Sequence, residues 1–335
     1  MKRNAVFFGD RKTNRIDFVY DRRIKENLEG MVNLYDAVVD RENLQEHASA
    51  LELAEVAFST WGMPPFTGEE IRKHMPGLKA VFYAAGSVQG FARPFLENGV
   101  KVSSAWHANG VPVAEYTLAQ IILANKGFFQ IAALAKRDYA QAQKISGSFP
   151  GNYNIKVGLL GAGVIGARVA ELLKPLDLEV LVFDPFLSGQ RAKELGVGIA
   201  GLEEIFSSCQ TISNHLANVP ATVGMLNKTL FDRMPENATF INTGRGAQVV
   251  EKDLALALAE VPTRTAVLDV TSREPLESGN PLLALGNVFL TPHIAGSGGK
   301  EVTRMGQYML DEFLRYERGE ELRYNVTVKM LETMA

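Results

Sequence analysis

Apolar residues recur along this chain in two alternating grammars. Short runs rich in branched and aromatic residues have the composition of buried parallel strands, and the stretches between them carry apolar residues at helical spacing. Runs of the first kind fall at 5–8, 32–35, 56–59, 80–83 and 100–103, with helical patterns at 21–28, 43–50, 68–74 and 91–97. The alternation resumes at 155–160, 179–183, 211–214, 238–242, 265–269 and 287–290, with helical patterns at 167–173, 188–195, 202–207, 227–233 and 251–258 between those runs. Strands alternating with helices predict an α/β fold of parallel sheets covered by helices on both faces.

Two further helical patterns organise the chain. The longest runs from Pro112, expected in the first turn where proline is tolerated, to about residue 138. Its apolar positions, among them Val113, Ala114, Leu118, Ile121, Ile122, Phe128 and Ile131, lie almost all round the axis. Such a helix needs more than one partner, so part of it is expected against a second subunit, with a wholly intramolecular core as the alternative. The last pattern, 300–318, places Val302, Met305, Met309, Phe313 and Leu314 on one stripe and is expected to return to the first α/β segment. The predicted division is a discontinuous domain, 1–104 plus 300–335, and an inserted domain, 105–299. A cleft between them is the default site.

Composition narrows the class. A length of 335 residues suggests two domains, and 46% hydrophobic with 22% charged residues is globular. A net charge of −3 leaves no electrostatic footprint for nucleic acid or a membrane surface. The single cysteine, Cys209, excludes an intrachain disulfide and a cysteine-rich metal site, and its apolar context predicts an inert core thiol. The five histidines and the carboxylates show no metal-ligand spacing, so no metal is expected. The apolar run before Asp10 is too short for a signal peptide, and no run is long enough to span a bilayer. A cytoplasmic location is expected.

The stretch after the run at 155–160 reads Gly161-Ala162-Gly163-Val164-Ile165-Gly166 and opens directly into a helical pattern. Gly161 permits the tight turn, Gly163 lets backbone amides approach a pyrophosphate, and Gly166 lets helix and strand pack closely. The helix amino terminus, with Val164 and Ile165 in its first turn, then faces the phosphates. Asp184 ends the next strand, where a carboxylate accepts hydrogen bonds from an adenosine ribose and repels a 2′-phosphate, which favours NAD over NADP. A structural strand-turn-helix with no ligand is the plainer alternative.

Three more strand ends carry polar residues, and parallel strands bring them to one edge. Asn242-Thr243-Gly244-Arg245-Gly246 supplies a cation, Asp269 and Glu274 supply carboxylates, and Thr291-Pro292-His293 supplies an imidazole. Singly, such residues are surface charges or structural histidines. Together beside a nucleotide turn they meet the needs of 2-oxo acid reduction. Arg245 can hold the carboxylate and polarise the ketone, and His293 can supply the proton. Glu274 would fix the imidazole tautomer, and Asp269 would face the nicotinamide. In the first half, Ala85, Gly86 and Ser87 follow a strand; their amides could bind a carboxylate, or the segment could be an ordinary turn.

These motifs, in this order, resemble those of the D-isomer-specific 2-hydroxyacid dehydrogenases, with 114–118 similar to the start of that family's long subunit-contact helix. The resemblance implies two Rossmann-like, doubly wound domains around a closing cleft, NAD as cofactor and a homodimer. It implies Arg245, Glu274 and His293 as the catalytic triad. Gly161, Gly163, Val164, Ile165, Gly166, Asp184, His215, Thr243, Gly244 and Asp269 would meet the cofactor, and Ala85, Gly86 and Ser87, with Arg245 and His293, the substrate. The chain departs from the family at 215–220, where relatives often show Pro-Leu-Thr, and it lacks a tryptophan common just before the glycine turn. Formate oxidation is disfavoured because Glu274 stands where relatives doing that chemistry carry glutamine. An NAD-sensing binding protein of the corepressor type is the alternative from a different class.

Overall fold

The structure, a computed structural model, describes residues 2–13 and 15–332. The ends of the predicted first domain, Met1 and 333–335, lie outside them. Two compact units divide the chain: Met1–Gly110 with Ser297–Ala335, and Val111–Gly296.

In the first unit the strands are β1 (Asn4–Phe8), β2 (Asn33–Val39), β3 (Val56–Ser59), β4 (Ala80–Tyr83) and β5 (Lys101–Ser104). The second holds β6 (Ile155–Leu160), β7 (Leu178–Phe183), β8 (Gly198–Ile199), β9 (Thr211–Asn214), β10 (Thr239–Asn242), β11 (Thr265–Leu268) and β12 (Val288–Leu290), and β13 (Asn325–Val326) returns to the first. Among the described residues the first sheet runs β13-β5-β4-β3-β1-β2, parallel except for β13. The second runs β12-β11-β10-β9-β6-β7-β8 and is parallel throughout. Fully buried stretches such as β3 and β4 account for strands without polar alternation, since helices cover both faces.

Each sheet lies between two apolar clusters. In the first unit the helix Val302–Glu317 buries Met305, Met309 and Phe313, and the Phe313 ring packs edge-on to Phe58 and Phe82 at 5.5 and 5.7 Å. In the second, the helix Val164–Leu173 and residues Ala114, Ile121 and Ala124 share one face, while Ile205, Phe206, Phe231 and Leu254 build the other.

The longest helix differs from expectation at both ends. It begins at Trp106, so Pro112 sits inside it, and it stops at Asn125. Asn125 is fully buried and bonded to Thr211 and Asn152, and Gly127 follows at φ 67° with the Phe149 ring filling the space its side chain would need. Separate helices Phe128–Ala135 and Tyr139–Ser146 follow. Part of the all-round apolar pattern is thereby explained within the chain. Trp106 and Ala108 belong to cores of the first unit, and Ala114, Ile121 and Ala124 to a core of the second. No single described helix is long and apolar enough to cross a membrane; Trp106–Asn125 and Phe128–Ala135 are bent by 64°.

The predicted helix at 43–50 lies instead at Ala48–Leu53. Asp40 and Asn43 bond to local backbone, Asp40 Oδ1 accepting from the Glu42 and Asn43 amides, and so hold a turn. The two-residue strands β8 and β13 are too short to carry a periodicity.

Strand β13 is anchored by Glu312, 1% exposed, which accepts hydrogen bonds from Ser103 Oγ (3.0 Å) and from the Arg323 and Tyr324 amides (3.2 and 3.0 Å). Glu312→Ala would leave the Arg323 and Tyr324 amides without this acceptor, while Ser103 Oγ keeps the Tyr324 carbonyl at 3.1 Å. We expect it to lower unfolding stability by about 2–4 kcal/mol in urea titrations, and a loss below about 0.5 kcal/mol would contradict the anchoring role.

Candidate active site

In the second sheet the strand order reverses between β9 and β7 about β6, and ligands bind at the carboxyl edge of such a switch point. Gly161, just after β6, has φ 96°, and a Cβ there would stand 2.7 Å from the His215 carbonyl oxygen. A Cβ on Gly166 would fall 2.0 Å from the Gly161 carbonyl oxygen, so turn and helix touch backbone to backbone. Gly163 differs. It precedes the first helical residue, Val164, and a Cβ there would meet nothing within 4 Å. Open space thus lies before a helix amino terminus whose first amides, at Val164, Ile165 and Gly166, have no partner within the helix. A dinucleotide pyrophosphate fits that cradle.

Asp184 does more than the sequence suggests. Its Oδ2 accepts from the Ala162 amide at 2.7 Å and its Oδ1 from the Phe186 amide at 2.8 Å, so the carboxylate also braces the glycine turn. Each oxygen retains a lone pair for a ribose hydroxyl.

His215 follows β9. Its Nε2 lies 3.0 Å from Ser213 Oγ, Nδ1 is buried without a partner, and burial lowers its pKa to about 4. The neutral ring therefore brings no charge to the glycine turn at physiological pH. The loop after β9 is joined to the loop after β10 by three buried amides: Asn214 Nδ2 donates to Asn242 Oδ1 (3.0 Å) and to Gln248 Oε1 (2.6 Å). Gln248 Nε2 donates onward to the carbonyls of Leu216 and Ala217 (2.7 and 2.9 Å). These bonds hold the segment that departs from the family pattern.

Arg245 is half-buried after β10, with Nη1 donating to the Gly244 carbonyl at 2.8 Å; desolvation lowers its pKa and the charge of Glu274 opposes that shift. Beside it, a Cβ on Gly246 would lie 1.8 Å from the Thr271 carbonyl carbon, a contact only glycine permits. That contact brings the Arg245 loop against the loop carrying Glu274. Thr243 Oγ1 lies 3.1 Å from Thr117 Oγ1 of the long helix, and Gly244 packs on Asn214 and Gln248.

After β11, Asp269 is 3% exposed and faces the next loop. Its Oδ1 accepts from Thr291 Oγ1 (2.6 Å) and the Ile294 amide (2.8 Å), its Oδ2 from the Ala295 amide (2.9 Å), and its carbonyl from the His293 amide (2.9 Å). Tyr116 Oη lies 3.2 Å from Thr291 Oγ1. His293 is held at φ 57°, and its Nδ1 lies 2.8 Å from Glu274 Oε2. Both side chains are nearly half exposed, so the imidazole is oriented yet accessible. Across the carboxyl edge the order is His293, Asp269 and Glu274, Arg245, His215, the glycine turn and Asp184. In the first unit, Ser104 Oγ donates to the carbonyls of Ala85 and Gly86 at 2.8 Å each, and the Gly86 and Ser87 amides donate to no group among the described residues.

Residues 118–295 match the model of the D-isomer specific 2-hydroxyacid dehydrogenase NAD binding domain. The chain belongs to the D-isomer specific 2-hydroxyacid dehydrogenase family. This dehydrogenase-family chain is 30% identical over 237 residues to the D-3-phosphoglycerate dehydrogenase of Archaeoglobus fulgidus, covering 70% of this chain and 44% of that protein. It is 34% identical over 216 residues to glyoxylate/hydroxypyruvate reductase A of Klebsiella pneumoniae, covering 63% and 66%. The matches thus span from under half to about two thirds of those relatives' lengths. Among solved structures, a phosphoglycerate oxidoreductase from Rhizobium etli superposes with TM-score 0.81 at 20% identity, covering 98% of this chain and all of that one. D-mandelate dehydrogenase of Rhodotorula graminis gives 0.79 at 18%, covering 97% and 98%. At these identities the likeness is one of fold, two Rossmann-like domains.

The positioning roles of Asn214, Gln248, Thr117, Tyr116 and Thr291 are not visible in the sequence. Their partners are remote in sequence, and a polar residue inside an apolar strand, as at Asn214, was the one visible signal.

His215 carries a pH signature. Unfolded, it titrates near 6.5; folded, near 4. Between those values only the unfolded chain binds the proton, so stability is full above about pH 6.5 and falls as the pH drops toward 4. Between pH 7 and 5 this contributes about 1–2 kcal/mol, and His215→Gln should remove that much of the pH dependence in urea titrations. An unchanged slope would assign the acid sensitivity elsewhere.

Proposed function

We propose that this chain reduces a 2-oxo acid to a D-2-hydroxy acid with NADH, consuming one proton and releasing NAD. The observation that carries the proposal is the oriented pair His293 Nδ1 to Glu274 Oε2, 2.8 Å, on the same sheet edge as Arg245 and the glycine turn. Bound NADH supplies the hydride. Arg245, half desolvated, takes the substrate carboxylate and polarises the ketone, and its charge acts more strongly for being poorly hydrated. The imidazole of His293, with Nδ1 engaged by Glu274, donates its Nε2 proton to the oxygen that becomes the hydroxyl. The free amides of Gly86 and Ser87, with Ala85 shaping their turn, are donors for the carboxylate. Thr243, Gly244, His215 and Asp269 form the nicotinamide-side wall, and Asp184 takes the ribose.

Further assignments belong to the same proposal: a cytoplasmic homodimer without nucleic-acid or membrane partners, and a first unit that serves as the substrate domain. The dimer is supported by the helix pair after Val111, where Phe128 is 48% exposed and Ile122, Ile131 and Leu134 are only half-buried.

His293→Gln or Arg245→Ala should each lower turnover by about 10²-fold or more while NADH binding, followed by cofactor fluorescence, stays within a few-fold. Near-normal turnover of either variant would remove it from the chemistry. Asp184→Ala should reduce the ratio of NADH to NADPH affinity, and an unchanged ratio would mean that Asp184 only braces the turn.

A further inference from the structure

The turn at Gly86 and Ser87 is flanked by tryptophans, and we infer that this edge of the first unit selects a 2-oxo acid with a bulky apolar side chain, aryl or branched alkyl, over small or phosphorylated acids. The inference rests on the reductase proposal for the reacting end of the substrate and assigns its other end. Strands β3, β4 and β5 are adjacent and parallel, with Ser59 paired to Tyr83 and Tyr83 to Ser104. Their following loops therefore leave one edge side by side, about 4.8 Å apart.

The middle loop carries the unspent amides of Gly86 and Ser87. On one side, Thr60 Oγ1 donates to the Ala84 carbonyl at 2.8 Å and fixes the loop after β3, whose next residue is Trp61. On the other, Ser104 Oγ grips the Ala85 and Gly86 carbonyls, and Trp106 opens the helix that follows. Trp61 is half-buried and packs against the apolar clusters on both faces of the sheet, which places it across the carboxyl edge instead of within either layer. Trp106 is half-buried and packs edge-on to Tyr324, ring centroids 6.1 Å apart, so its ring is fixed in advance. Amides in a loop whose two neighbouring loops each carry a half-buried indole suit a carboxylate with an apolar body attached.

Two cations of the neighbouring loop are already spent on carboxylates. In the loop after β1, Arg11 is paired with Asp40 at 2.8 Å and Lys12 with Glu42 at 3.0 Å. Arg15, which opens the next helix, is the cation of that stretch without an ion pair among the described residues, and it is exposed.

Trp61 and Trp106 are the two tryptophans of the chain, so intrinsic tryptophan emission reports directly on this edge. The test is emission titration of the intact protein, its Trp61→Phe and its Trp61→Ala variants with D-phenyllactate, D-2-hydroxy-4-methylpentanoate, D-lactate and D-3-phosphoglycerate. NADH oxidation is measured in parallel with the corresponding 2-oxo acids. We expect the bulky acids to change the emission saturably at concentrations about tenfold or more below those needed for the other two, with Trp61→Ala erasing the difference and Trp61→Phe keeping most of it. Tighter binding of lactate or phosphoglycerate, or no preference, overturns the inference and leaves the reductase proposal standing if oxidation occurs. Selective binding of bulky acids without oxidation does the reverse. Neither emission change nor oxidation with any acid overturns both.

Discussion

Asp269 holds the loop that carries His293. Its side chain accepts three hydrogen bonds and its carbonyl a fourth, all from the five residues Thr291–Ala295 and all between 2.6 and 2.9 Å. Those bonds keep His293 in a left-handed backbone conformation that costs a non-glycine residue roughly 1–3 kcal/mol and survives only where its surroundings over-determine it. A freely relaxing loop would lose the line from His293 to Glu274. The same logic, buried polar groups spent on hydrogen bonds that tie loops together, recurs one and two strands away in Asn242, Asn214 and Gln248, which lock the Arg245 loop to the segment after His215. Buried networks of this kind are costly if half satisfied and rigid when complete.

How much of the fold is legible in the sequence follows from range. Strands such as β3, β4, β6 and β9 were legible because their pattern is local and continuous. The glycine turn was legible because three glycines at fixed spacing answer three separate steric needs, and the structure shows two of them as contacts below 3 Å and the third as open space. The break at Gly127 was present in the letters but outweighed by the apolar run around it, and its cause, the Phe149 ring, is distant in sequence. Gly246 shows the limit most plainly: its need to be glycine comes from the Thr271 backbone, in a loop after a different strand.

Site residues divide in the same way. Arg245, Glu274 and His293 could be named because their chemistry is scarce and their strand ends align in a parallel sheet. The positioning roles of Thr291, Tyr116 and Gln248 are not legible in the sequence, since these residues have ordinary identities and act through contacts made only on folding. Asp184 and Asp269 show this too: both are recognisable in the sequence as acids at strand ends, and both brace backbone that presents other groups. Membership of the dehydrogenase family accounts for the shared motifs, while Trp61 and Trp106 belong to the half of the chain outside the matched NAD-binding domain.

In the proposed reaction hydride passes from cofactor to C2 of a 2-oxo acid while His293 supplies the proton. The most direct test uses NADH deuterated at the transferred position of C4, with the product analysed by mass spectrometry and NMR after reaction with phenylpyruvate and 4-methyl-2-oxopentanoate. Such transfer leaves one deuterium at C2 of a D-configured hydroxy acid, with the hydroxyl proton drawn from solvent. Product without deuterium at C2, or of the L configuration, or cofactor that stays fully reduced with every 2-oxo acid offered, would contradict it.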